Sequence, residues 1–88
     1  MLHERQAVAD AAFVELVIWR VPRPVAGSAD GYKYRLAYVV HGVCVLRFDN
    51  EAGKGDHRHI GDVQTTYSFT TPAQLLADFW NEVDEWSA

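Results

Sequence analysis

Apolar and polar positions alternate with a period of two along most of this chain, then switch to a helical period near its end. Residues 13–21, FVELVIWRV, are rich in β-branched and aromatic side chains and stop at Pro22, which cannot donate to a ladder. They predict a strand. Residues 3–8 are expected to pair with it through Ala9-Asp10-Ala11, a turn with little local signal. Residues 22–31, PRPVAGSADG, read as a surface loop that could act as a flap. From Tyr32 to Val40 the chain alternates again, with Tyr32, Tyr34, Leu36, Tyr38 and Val40 on one face and Lys33, Arg35, Ala37 and Val39 on the other. His41-Gly42 then forms a two-residue turn into a strand over 43–49. Residues 65–70 predict another short strand. Thr71 is a cap residue followed by Pro72 at the first helical position. Leu75, Leu76, Phe79, Val83 and Trp86 recur at helical spacing and leave Asp78, Asn81, Glu82 and Glu85 outward. The class is α+β: an antiparallel sheet of four to five strands with one C-terminal amphipathic helix packed on it.

One segment breaks the pattern. Residues 47–62, RFDNEAGKGDHRHIGD, place two histidines, three glycines and seven charged residues between apolar strands. Such a run is expected at the surface and is the natural seat of function. His57 and His59 offer proton transfer near neutrality, and Lys54 and Arg58 offer positive charge for a phosphate.

Composition narrows the class. The chain has 88 residues, which suits one domain over 1–88. Nearly half are apolar, with three Trp, four Tyr and four Phe, so the chain is globular. The single Cys44 and the absence of a secretory pattern at the N-terminus suggest a reducing, cytoplasmic setting. No apolar run reaches the roughly 20 residues that cross a bilayer, so no membrane role is expected. The net charge of -4 argues against generic binding to nucleic acid. All eight Lys and Arg, however, precede Thr71, and Asp78, Glu82, Asp84 and Glu85 follow it. The acidity belongs to the helix, and the remainder is balanced.

If residues 56–60 are extended, His57 and His59 share a face with Cα atoms about 7 Å apart. Two imidazoles so placed could flank one phosphodiester, one taking the proton of a ribose 2′-hydroxyl and the other protonating the departing 5′-oxygen. His57 and His59 are therefore the candidate catalytic pair, and Lys54 and Arg58 the candidate substrate ligands. Arg58 should point away in an ideal strand, so its role requires a loop or bulge. Asp49, Glu51 and Asp56 are supporting candidates that could orient the imidazoles, or pair with Arg47, Lys54 and Arg58. This chemistry needs no metal and no cofactor. The same histidines with Asp49, Asp56 or Asp62 could instead hold a transition ion. The plainest alternative makes the run a solvated connection. His3 and His41 are a terminal and a turn residue. Trp19 and Trp86 read as core, Trp80 as partly exposed and Cys44 as a small buried hydrophobe. The tyrosines at 32, 34 and 38 read as a sheet face, with base stacking as the rarer alternative.

The order ELVIWRVP (15–22), GYKYRLAYV (31–39), FDNEAGKGDHRH (48–59), YSFT (67–70) and LLADF (75–79) resembles the TumE family of small toxin–antitoxin proteins. The usual Asp-Gly turn is replaced here by Asp10-Ala11. The resemblance implies a toxin component neutralised by a cognate helix-turn-helix antitoxin. Together with the histidine segment it leads to a toxin of a type II system acting on RNA as a ribonuclease. The alternative is a non-enzymatic module that binds nucleic acid or protein beside such a regulator. An exposed sheet edge would allow a homodimer.

Overall fold

A computed structural model describes residues 2–22, 31–51 and 55–87, with the backbone alone at Glu51. Six antiparallel strands form one meandering sheet in sequence order: β1 (Leu2–Ala9), β2 (Ala12–Arg20), β3 (Tyr32–Val40), β4 (Val43–Glu51), β5 (Gly55–Ile60) and β6 (Val63–Thr66). Helix α1 (Pro72–Ser87) follows. The class is α+β as the sequence suggests, but the sheet has six strands and not four or five. The additional strand is β5, within the polar run. That run is not simply a surface connection, since Asn50 and His57 within it are buried.

Period-two alternation fixes the core. Val14, Leu16 and Ile18 of β2 lie beside Tyr38, Leu36 and Tyr34 of β3, and Leu46 and Phe48 of β4 continue the same face. Leu75, Phe79 and Val83 of α1 pack onto it. Phe48 is central, with Tyr67 and Phe79 against it edge-on at ring centroid distances of 5.0 and 5.7 Å. The buried tyrosines are core residues. Tyr38 still places its hydroxyl 2.8 Å from Ser87 Oγ, and Tyr34 donates to Asp56 at 2.7 Å.

Turn chemistry sets the register. His41 and Gly42 both have positive φ, as a type I′ turn requires. The Asp10-Ala11 turn also closes, with Ala11 at φ 57°. In the β3–β4 pair, Tyr38 faces Leu46 whereas Val39 faces Cys44, which leaves Val45 as a bulge. That one extra residue turns Leu46 and Phe48 toward the helix and Arg47 and Asp49 to the opposite face. Thr71 Oγ1 accepts from the Gln74 amide at 3.1 Å and caps α1.

Three further expectations are corrected. Residues 67–70 are not strand, because β6 ends at Thr66. Trp19 and Trp86 are 36% and 46% exposed, and Cys44 is exposed; none is core. Asp78 and Glu82 are not free on the outer helix face: Asp78 accepts from Tyr67 at 2.6 Å, and Glu82 pairs with Arg58 at 2.7 Å. Residues 23–30 of the expected loop lie outside the described residues.

Candidate functional site

The helix covers one face of the sheet, and no described element covers the other. Odd-numbered residues of β2, β3, β4 and β5 share this open face because the register pairs odd with odd. Val17, Arg35, Asp49 and His57 form one row across four strands, and Glu15, Ala37, Arg47 and His59 form the next. Arg5 joins from β1, opposite Glu15. Among the described side chains the open face thus carries the cations Arg5, Lys33, Arg35 and Arg47 against the carboxylates Glu15 and Asp49, with His57 and His59 at one end. The acidic helix lies on the far side. Charges that are merely sequential in the chain are segregated in space.

His57 and His59 do share a face, with ring centroids 6.0 Å apart and planes nearly perpendicular. Arg47 lies between His59 and Asp49. Its Nη2 is 3.1 Å from His59 Nε2, and its Nε is 3.0 Å from Asp49 Oδ2. A guanidinium only donates, so a hydrogen bond here requires His59 Nε2 to accept. Asp49 Oδ1 stands 3.8 Å from the same His59 nitrogen. His57 is buried, and its Nε2 finds no hydrogen-bond partner among the described residues. Asp49 Oδ1 is also a buried atom without a hydrogen bond there. Arg47 Nε and Arg58 Nε are likewise buried without a hydrogen bond among the described residues, and leaving such groups unpaired costs stability.

The remaining expected site residues are dispersed. Arg58 lies opposite Phe48 on the helix side and is committed to Glu82, because β5 is regular and its even positions face the core. Asp56 shares that side and accepts from Tyr34. Asp62 lies in the β5–β6 turn. Of the supporting carboxylates, Asp49 stands with the histidines. Lys54 and the side chain of Glu51 lie outside the described residues. Among the described residues no three His, Cys, Asp or Glu side chains are grouped as a metal site.

Sequence reasoning offered Arg47 as an ion-pair partner for a carboxylate, which Asp49 is, but passed over its contact with His59 and over Glu15, Lys33, Arg35 and Trp19 as neighbours of the histidines. Parity was the available signal. It leads from His57 and His59 to Asp49 and Arg47 on β4, but only the Val45 bulge carries it on to the odd residues of β3 and β2, since before the bulge Val39 pairs with Cys44.

The TumE toxin family matches residues 3–87, nearly the whole chain. The chain belongs to the TumE family. Membership implies an antitoxin partner. Neither a curated protein nor a solved structure matches significantly. No helix among the described residues of this TumE protein is long and apolar enough to cross a membrane.

Proposed function

We propose that this TumE-family chain is the toxin of a type II toxin–antitoxin system and cleaves RNA by metal-independent transesterification. The observation that carries this reading is the His57–His59 pair on the open face, with Arg47 beside His59 Nε2 and with His57 Nε2 making no hydrogen bond among the described residues. In the resting state Arg47 occupies the lone pair of His59. A substrate phosphate, fully charged, competes for the guanidinium fork and draws Arg47 away. His59 Nε2 then takes the proton of the 2′-hydroxyl. The 2′-oxygen bonds to phosphorus, the bond from phosphorus to the 5′-oxygen breaks, and protonated His57 supplies the proton to that oxygen. Arg47 meets the charge that builds on the non-bridging oxygens, with Lys54 as a second phosphate ligand. Arg58 anchors the helix and has no part in the chemistry.

The test is incubation of the purified protein and its His57→Gln, His59→Gln and double variants with total RNA in EDTA, followed by analysis of fragment ends. Cleavage by the unmodified protein alone, leaving 2′,3′-cyclic phosphate and a bell-shaped pH dependence, supports the proposal. Intact RNA throughout overturns the catalytic claim and favours the second reading, a basic sheet face that binds its partner without cutting it. Four cations against two carboxylates on that face support such binding. Binding of this kind should weaken steeply with salt.

A further inference from the structure

Beside the histidine cluster the open face is hollowed. A cavity of about 460 Å³ is lined by Glu15, Val17, Trp19, Lys33, Arg35, Arg47 and Asp49, together with Tyr34. That volume falls in the range of small-molecule sites, roughly 300–1,000 Å³. Arg47 and Asp49 belong to both features, so whatever binds the histidines is continuous with the hollow. Trp19 lies at its far side, opposite Lys33 on β3, and keeps 36% of its surface exposed. An indole is a large apolar surface that a folded chain ordinarily covers. Here it stands among cations, on a face that no described element covers.

We propose that this hollow is a nucleotide subsite, in which a base adjoining the scissile phosphate stacks on Trp19 while Lys33 and Arg35 meet the neighbouring phosphate. The inference rests on RNA as the ligand of the histidine site and extends it to a residue three strands removed. Several observations select this occupant. Three cations stand against the carboxylates Glu15 and Asp49 in the lining. Lys33 donates to the Asn50 carbonyl at 3.2 Å and retains its other protons for a phosphate. Stacking on an aromatic ring suits any base. Adjacent strands lie about 4.8 Å apart and a strand rises about 3.3 Å per residue, so Trp19, one row beyond Val17 in the row Val17, Arg35, Asp49 and His57, stands roughly 16 Å from His57. That distance accommodates a nucleotide together with the phosphate beside it. Tyr34 and Tyr38 cannot stack bases there, since both are sealed in the core, and half-buried Tyr32 packs against that core on the helix side. Glu15, already held by Arg5 at 3.2 Å and Arg35 at 3.3 Å, closes the opposite wall and keeps Arg35 directed over the hollow.

A fluorescein-labelled 2′-O-methyl hexaribonucleotide provides the probe. It lacks the nucleophilic hydroxyl and stays intact, so binding is measured independently of cleavage. Trp19→Ala is expected to weaken binding by roughly 5- to 100-fold, the usual worth of one stacked base. Trp19→Phe should restore most of it, and Trp86→Ala, on the helix, should change nothing. In a Trp80→Phe/Trp86→Phe background Trp19 is the remaining indole of three, and the oligonucleotide should quench its emission. Unaltered affinity in Trp19→Ala, unaltered emission in that background, or an equal loss in Trp86→Ala overturns the subsite. Cleavage could still stand in that case. Conversely, binding through Trp19 without any cleavage of natural RNA would retain the subsite and overturn the ribonuclease.

Discussion

Arg47 Nη2 lies 3.1 Å from His59 Nε2, and because arginine can only donate, a hydrogen bond across this contact requires His59 Nε2 to accept. The same guanidinium reaches Asp49 through Nε. Three side chains from two adjacent strands therefore form a chain, carboxylate to guanidinium to imidazole, whose last link a phosphate can break.

Arg47→Gln is expected to lower kcat/KM for RNA cleavage by about 10²-fold, the scale seen when one preorganised donor to a developing oxyanion is removed. Arg47→Lys should recover only part, since an ammonium lacks the fork. Steady-state kinetics on a defined oligoribonucleotide measure both; full activity in Arg47→Gln would exclude the residue from the mechanism.

Asn50 is a buried amide that replaces a stretch of ladder. Its Oδ1 accepts from the Tyr34 amide at 2.9 Å, and its Nδ2 donates to the Tyr32 carbonyl. Asn50→Leu fills the space yet strands both backbone groups, so chemical denaturation should register a loss of about 2–4 kcal/mol.

Ala11 sits at φ 57° in the first hairpin, a conformation costly for any residue with a Cβ. Ala11→Gly should stabilise the protein by about 0.5–1 kcal/mol, a rise of several degrees in Tm. A lower Tm would mean that the Ala11 methyl makes contacts that outweigh the strain.

Tyr67 predicts an alkaline limit. Burial, and then the hydrogen bond it donates to Asp78, push its phenol well above the ordinary value, with the charges of Asp78 and Asp56 adding to the effect. The folded state holds this proton more tightly than the unfolded chain. Its contribution is complete below the ordinary phenol range, near pH 10, and is lost as pH rises beyond it. Stability measured from pH 8 upward should fall in the unmodified protein, and the fall should be shallower in Tyr67→Phe.

Charge reversal on the helix separates structure from partner binding. Asp78→Lys and Glu82→Lys break the ties to Tyr67 and Arg58 and should lower Tm. Asp84→Lys and Glu85→Lys, at exposed positions, should leave Tm nearly unchanged. If a basic antitoxin docks on the acidic helix, the latter pair should weaken co-purification without destabilising the fold.

Several parts of this protein were legible in local sequence. The Tyr32–Val40 alternation, the His41-Gly42 turn and the Thr71-Pro72 helix start each depend on neighbours within a few residues. The His-x-His spacing likewise predicted a shared face. Other readings failed because side-chain type does not determine burial by itself. Asn50 and His57 sit inside a polar run yet are buried, the first by pairing with strand backbone. Trp19 is aromatic yet exposed, because its parity puts it on the uncovered face.

The sequence alone determined the alternating strands, the capped amphipathic helix, the family and the histidine pair, since each is written in short-range periodicity and residue chemistry. Only the tertiary structure decided what surrounds the pair. Side chains alternate with a period of two, so the single bulged residue Val45 sends Arg47 and Asp49 to the histidine face and Phe48 to the core. Regular pairing of β5 then commits Arg58 to the helix and leaves Arg47 beside His59.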